Sequence, residues 1–413
     1  MNDIHRRLAA LGVTVPEILV PRSGTDLRKW AVVACDQFSQ DRNFWEILKT
    51  ETSTAPSTLN LIFPEVYLGD NREARIADIQ TCMRTYLDTG VFAPPRRECV
   101  YLERRTARHP RRRGLILAVD LEQYDWNPGA RLLIRTTEGT IKERLLPRME
   151  IRRNAPLECP HILLLIDDDE DFLIPGLGER AKKNTPLYET SLMGDSGAVS
   201  GWALDTERDW LLLAEGLERL AQKASARYGG EAPFLYAMGD GNHSLATARE
   251  VWEEYKKSHP HDPALMDHPA RWALVELENL YDPGISFEPI HRVIFGVTPE
   301  AALAALSGVP GLVCTRSGDH PGILGIETTQ EILAAPRLQP PLDDLVKAAG
   351  ASMDYIHGEE ELYRLVASSR GPAVGILFPA LQQSGLFRTV AETGPLPRKS
   401  FSMGSAEEKR FYL

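Results

Sequence analysis

Cysteine is scarce and scattered in this 413-residue chain: Cys35, Cys82, Cys99, Cys159 and Cys314 are all there is. An odd number with no Cys-x-x-Cys pair argues against a disulfide framework or a structural zinc site and fits a reducing compartment. No apolar run approaches the roughly 20 residues that span a bilayer. The opening MNDIHRRLAALGVTVPEIL also lacks the long apolar core of a signal peptide. An excess of positive charge is missing too, since 58 acidic against 47 basic residues leave a net charge of −11. Duplex binding needs a cationic surface that displaces counterions, so nucleic acid is not expected as the main partner. Three familiar signatures are absent: the G-x-x-x-x-G-K-[ST] phosphate loop, a G-x-G-x-x-G turn after a strand, and H-E-x-x-H. A soluble cytoplasmic protein with no membrane partner and no metal site of its own is the expectation.

With 43% apolar and 25% charged residues, the composition is that of an ordinary globular protein. RKWAVVA (28–34), CVYLERRT (99–106), GLILAVDLEQY (114–124), ARLLIRTTEG (130–139), HILLLIDDD (161–169), RWALVELENLYD (271–282) and FEPIHRVIF (287–295) read as strands. Asn127-Pro128-Gly129 reads as a turn, and 72–89 as a helix stopped by Gly90. DRNFWEIL, DWLLLAEGLERLAQKASARY, HSLATAREVWEEYKK, TPEAALAAL and a stretch near 358–369 read as further helices. Strands and helices interleave without clean βαβ repeats, which predicts a mixed α/β (α+β) class with mixed sheets. The pattern changes near residue 297. A main region over 1–296 and a smaller C-terminal α+β region over 297–413, whose tail returns to the site, are expected. Glycine-spaced 176–200 reads as a mobile loop.

The densest chemistry lies in FLYAMGDGNHSLATAREVWEEYKK (234–257), where a strand runs through Gly239-Asp240-Gly241-Asn242-His243 into a helix. A helix start carries unpaired N–H groups and the positive end of the macrodipole, which together attract an anion. His243 in the first turn is placed to act as a base or a donor. Plain capping by Asp240 or Asn242, with His243 packed, accounts for the same residues. RTTEGTIKERLLPR (135–148) offers Arg135 as a phosphate clamp and Glu138 as an acid–base group, or else a short capped helix with solvated charges. Asp36 ends an expected buried strand, where α/β proteins collect catalytic groups, although a turn residue fits as well. Asp167 to Asp171 reads as a solvated acidic turn or a magnesium ligand set. Gly194-Asp195-Ser196-Gly197 copies the nucleophile tetrapeptide of trypsin-like proteases, but this helix-rich chain lacks their all-β frame.

Taken together, 28–45, 135–148, GDGNHSLATA (239–248), 287–295 and LPRKSFSMGSAEEKRFYL (396–413) resemble the bacterial domain of unknown function 1015 family, nearly the whole chain in order. Many members carry Asp-Gly-His-His-Arg at the strand–helix junction, and archaeal free-serine kinases carry a similar string. Those kinases have a ParB/sulfiredoxin-like fold and use a nucleotide as phosphoryl donor. The resemblance therefore implies phosphate binding at this helix start and a ParB/sulfiredoxin-like substructure. Asp240, Gly241 and His243 match the string, Asn242 replaces a histidine, and Ser244 replaces the arginine. It further implies a site in which Glu138, His243 and Asp36 are catalytic. Asp240, Gly241, Asn242, Arg135, His291, Arg292, Arg398 and Lys399 would hold a small anionic metabolite or a nucleotide, with magnesium where the nucleotide needs it. A phosphotransferase on a hydroxylated metabolite, a non-catalytic ligand sensor and a protein-interaction module are the three expectations this leaves.

Overall fold

The computed structural model describes residues 3–127, 129–159, 161–329, 332–404 and 409–413. Pro128 of the expected turn and residues 405–408 of the tail lie outside the described residues. The chain divides into two units. The first comprises Met1–Thr136, Thr140–Ile285 and Ser405–Leu413, and the second Thr137–Gly139 and Ser286–Gly404. The expected strand 287–295 thus belongs to the second unit, and the last residues of the chain to the first.

Among the described residues, the first unit is built on a nine-stranded sheet. Its strands are β1 (Val13–Thr14), β2 (Cys99–Arg105), β3 (Arg112–Asp120), β4 (Ile134–Arg135), β5 (Ile162–Ile166), β6 (Tyr188–Ser191), β7 (Ala198–Leu204), β8 (Tyr236–Asp240) and β9 (Trp272–Asn279). The order is β4-β8-β5-β9-β3-β2-β7-β6, with β1 against β3. The β4–β8 and β5–β9 pairs are parallel and the other pairs antiparallel, so the sheet is mixed. Alternate residues of a strand serve opposite faces. Leu115, Leu117 and Val119 join one apolar core with Leu8, Leu177, Leu217 and Trp252 of the covering helices, while Ile116 joins another with Val32, Trp45 and Phe411. Among its described residues the second unit has six strands, β10 (Phe287–Phe295), β11 (Leu312–Arg316), β12 (Ile323–Thr328), β13 (Ser352–His357), β14 (Ala373–Leu377) and β15 (Phe401–Met403). Their order is β11-β12-β14-β10-β13, with β15 against β10 and only the β12–β14 pair parallel. The fold is mixed α/β with mixed sheets, as the interleaved pattern predicts. No helix among the described residues is long and apolar enough to cross a membrane.

Three local expectations are corrected. Residues 28–34 form no strand: Asp26 accepts hydrogen bonds from the Arg28 and Lys29 N–H groups and winds Leu27–Trp30 into one helical turn. The buried Ala31–Ala34 stretch then pairs with the chain terminus rather than with a sheet, by a Val33–Phe411 bridge and bonds from Ala34 to Arg410 and Tyr412 to Val32. The 176–200 stretch is no loop. It holds the end of the Leu173–Ala181 helix and the β6–β7 hairpin, whose turn is Gly194-Asp195-Ser196-Gly197. Gly178 serves close packing, since a Cβ there would stand 2.4 Å from the Tyr101 ring. The acidic turn is not merely solvated: Asp168 accepts from the Phe172 and Leu173 N–H groups, while Asp167, Asp169 and Glu170 pair with Arg219, Lys223 and Arg227.

The arginines after the β2 strand are also partly internal. In β9 the apolar Val275 and Leu277 alternate with Glu276 and Glu278, both buried. Glu278 lies 2.9 Å from Arg112, and Glu276 lies 3.1 Å from Arg410. Room for Glu276 comes from Gly114 on β3, where a Cβ would stand 2.4 Å from its carboxylate. Arg104, buried beside them, donates to the Lys409 carbonyl and stacks its guanidinium 4.9 Å from the centre of the Phe411 ring. Burial, then the neighbouring Arg112, lowers its pKa to about 9. Burial and the adjacent Glu276 outweigh the attraction of Arg112 and raise the pKa of Glu278.

Breaking a buried pair from one side leaves an uncompensated charge and costs about 3–5 kcal/mol. Arg410→Ala is therefore expected to lose that much stability in denaturant unfolding, while Arg364→Ala, in an exposed pair with Glu361, leaves the midpoint unchanged. A second expectation concerns pH. Because the Glu278 pKa is raised on folding, the native state keeps a proton that the unfolded chain gives up above its ordinary value of 4.5. This group's contribution therefore falls as pH rises from that value toward the raised one. Unfolding midpoints of Glu278→Gln measured against the parent protein are expected to improve steadily with pH across this window; a pH-independent difference contradicts the assignment.

Candidate functional site

The junction of β8 with the Asn242–Ser258 helix is built by the sheet. Strand β8 runs antiparallel to β5, and the register shifts between Met238 and Asp240, where Asp240 comes opposite Leu163. Gly241 then turns the chain at φ +82°, and a Cβ there would stand 3.1 Å from the Ile162 Cα. Both facts demand glycine, one for backbone conformation and one for space. The helix begins on the Gly241 carbonyl, which accepts from the Ser244 and Leu245 N–H groups at 2.9 and 3.1 Å. The cap position is Gly241 itself, which has no side chain to cap with. Asp240 turns instead to its neighbour, accepting from the Gly241 N–H at 3.0 Å through Oδ1, while Oδ2 pairs with Lys409 Nζ at 2.9 Å. Asn242 Oδ1 is buried with no hydrogen-bond partner among the described residues. His243 Nε2 accepts a long bond of 3.4 Å from the Ile141 N–H, and the His243 carbonyl accepts from Thr247 Oγ1 at 2.6 Å. Plain side-chain capping is thus not what these residues do.

The other sequence candidates in the first unit stand on separate elements. Arg135, on the edge strand β4, is buried with its guanidinium 4.6 Å from the centre of the Phe234 ring. It donates to the carbonyls of Leu132 and Ala232 at 3.4 Å each, and burial followed by Arg131 lowers its pKa. Asp36 follows the segment pinned to the terminus and accepts from its neighbour Gln37 Nε2 at 2.9 Å. Ser244, in place of the family arginine, has its Oγ 2.8 Å from His161 Nε2.

The remaining candidates belong to the second unit. Glu138 Oε1 accepts from the Lys399 N–H at 3.0 Å, and Thr137 and Leu396 share a 2.7 Å backbone bond. Lys399, at φ +55°, holds its ammonium 5.1 Å from the centre of the Tyr355 ring, and Arg398 is exposed. His291 is buried, and its Nδ1 accepts from the Phe378 N–H at 3.1 Å; burial lowers its pKa. Arg292 is fully buried between Tyr355 and Phe378, donating to Gln339 Oε1 at 3.0 Å and to the Ile290 carbonyl at 2.6 Å. Burial lowers its pKa to about 10. The side chains of His291 and Arg292 are thus engaged inside their own unit. Sequence reasoning missed Lys409 and His161. Lys409 lies in the quoted tail, thirteen positions beyond the start of that segment. His161 stands immediately before the apolar run of β5, at the amino end of that strand, beside the carboxyl end of the antiparallel β8 where Asp240 comes opposite Leu163.

The chain belongs to the family of proteins of unknown function DUF1015, whose model matches residues 19–371. Comparison with curated proteins gives no match. Among solved structures, a mutant of a free serine kinase in complex with AMP is 9% identical, with a TM-score of 0.35 over 72% of this chain and 90% of that one. The corresponding complex with ADP scores 0.34 at the same identity and coverage. A conserved hypothetical protein from Pyrococcus furiosus is 10% identical, with a TM-score of 0.31 over 70% of this chain and 90% of that one. At such scores these likenesses carry nothing further.

Gly241→Ala tests how this helix start is made. A non-glycine residue held at positive φ costs on the order of 1–3 kcal/mol, before the contact with Ile162 is counted. The variant is expected to lose at least that much in denaturant unfolding; an unchanged midpoint contradicts the need for glycine.

Proposed function

We propose that the start of the 242–258 helix binds the phosphate or carboxylate of a small metabolite or nucleotide, and that the protein is a phosphotransferase acting on a hydroxylated small molecule. The observation that carries this reading is a 17-residue helix entered through a glycine at its cap position, with the Lys409 ammonium 2.9 Å from Asp240 at its mouth. Such a start presents N–H donors and about half a positive charge to an anion. Lys409 offsets the Asp240 carboxylate, which would otherwise repel that anion, and Gly241 lets the ligand approach the backbone.

In the reaction, the acceptor hydroxyl attacks the terminal phosphorus of the donor, the bond to the leaving phosphate oxygen breaks, and the hydroxyl proton passes to His243. Positioning and charge stabilisation supply most of the rate in such transfers. Asp36 and Arg135 remain auxiliary candidates in the same unit, whereas the reading does not need Glu138, His291 or Arg292. Among the described residues no group of three or more His, Cys, Asp or Glu side chains converges as a metal cage, and no step is routed through one.

Thermal unfolding with inorganic phosphate and with ATP, followed by ADP formation over a panel of hydroxylated metabolites, tests the reading. Saturation at a hundredfold over Kd is expected to add about 2.7 kcal/mol of stability. Lys409→Ala is expected to weaken binding at least tenfold, and His243→Ala to abolish ADP formation with binding retained. Stabilisation without turnover by the parent protein favours a ligand sensor, and no stabilisation by either probe defeats the reading.

A further inference from the structure

One arrangement in the first unit lies outside the anion reading and stands on its own geometry. Ser244 Oγ is 2.8 Å from His161 Nε2, and the opposite ring nitrogen, Nδ1, is 2.9 Å from the Tyr412 hydroxyl. The Cys35 N–H donates to the same hydroxyl at 3.1 Å. Exposure is graded along the row: Ser244 and His161 are half-buried, and Tyr412 is 2% exposed. All four side chains line one cavity of about 140 Å³. The rest of its wall combines apolar side chains, Ile62, Phe63, Met83, Ile151 and Leu157 among them, with two ion pairs, Arg148–Glu65 and Arg152–Glu158.

We propose that Ser244 is an activated nucleophile for acyl transfer, with His161 its base, Tyr412 the group that positions His161, and a short-chain or aryl acyl ester the substrate. A nucleophile bonded to a base that is itself oriented by a third group is the general form of a hydrolytic triad. Every hydrogen bond in the row is satisfied by one polarity. The Ser244 hydroxyl donates to Nε2, and Nδ1–H and the Cys35 N–H both donate to the Tyr412 oxygen. Burial and the neighbouring Cys35 raise the Tyr412 pKa well above its ordinary value, so the phenol keeps its proton and orients the ring without taking part in the transfer.

In the first half-reaction Ser244 Oγ bonds to the acyl carbon and its proton moves to His161 Nε2. The bond to the alcohol oxygen then breaks, and that oxygen takes the proton. In the second, water attacks the acyl carbon, gives a proton to Nε2 and releases the acid, and the proton returns to Ser244. Ser244 stands in the first turn of the helix, whose positive end favours the negative charge that develops on the carbonyl oxygen. The apolar side chains of the wall take the acyl group, which sets the size limit.

The full-length protein with 4-nitrophenyl butyrate and, separately, phenylmethylsulfonyl fluoride is the test. Ester turnover and a single sulfonyl adduct mapped to Ser244 are expected. Ser244→Ala and His161→Gln should each lower turnover at least a hundredfold with the unfolding midpoint retained. Tyr412→Phe should lower kcat while leaving KM unchanged. A second measurement needs no ester: in Ser244→Cys, the new thiol is expected to react with iodoacetamide at least tenfold faster than in Ser244→Cys combined with His161→Gln. Equal alkylation rates in these two variants, or ester turnover that survives Ser244→Ala, overturn the proposal. So does a folded parent protein that yields neither turnover nor adduct.

Discussion

The first unit depends on one buried contact, that of Arg410 with Glu276. A carboxylate at 1% exposure in the middle of a sheet is tolerable only beside a cation, and here the cation arrives from the far end of the chain. Having to reach Glu276 fixes where the last residues run. Lys409 is brought to Asp240, Phe411 is laid against Val33 and under the Arg104 guanidinium, and Tyr412 is brought to Cys35 and His161. Four consecutive residues thus join the buried charges, the helix start and the cavity. The alternation of Val275 and Leu277 with Glu276 and Glu278 sets the demand, and Gly114 makes room for it.

Much of this was legible in the sequence, and the reasons differ by element. Long strands of one period, such as GLILAVD and HILLLID, are read well because burial of alternate or continuous apolar residues leaves few other solutions. The 28–34 stretch failed by the same logic. Its apolar residues are indeed buried, but burial does not say which backbone supplies the hydrogen bonds, and here one bridge to the terminus replaces a ladder. In 176–200 two of the glycines mislead in the other direction: Gly178 lies against the Tyr101 ring and Gly197 against the Arg105 backbone, where a side chain would not fit. Period and composition report local preference, whereas these outcomes were decided by distant partners.

The candidate residues divide along the same line. The helix start at Asp240–His243 was visible because strand, glycine and helix are adjacent in the chain. Arg292 and His291 looked equally chemical, yet the environment that engages them, Tyr355, Gln339 and Phe378, is 47 to 87 positions away for the two hydrogen bonds alone. Lys409 and Tyr412 were invisible as partners for the same reason. Their contacts reach back across most of the chain, 377 positions from Tyr412 to Cys35.

Ser244 is where the comparison with the family string and the geometry meet. An arginine there would offer phosphate a planar, bidentate fork, whereas a lysine ammonium such as that of Lys409 is a point charge with rotatable donors. On the anion reading the helix N–H groups must therefore supply the directionality, and Lys409 only the charge. The serine itself is not a simple loss. It has a partner in His161, and that partner has one in Tyr412, so the hydroxyl is aligned with a base. A lone substitution at an exposed helix turn would leave the hydroxyl in water or bonded back to its own helix. A chain of two further hydrogen bonds, ending in a phenol that the buried terminus holds in place, points to chemistry at this oxygen rather than to erosion of an older site.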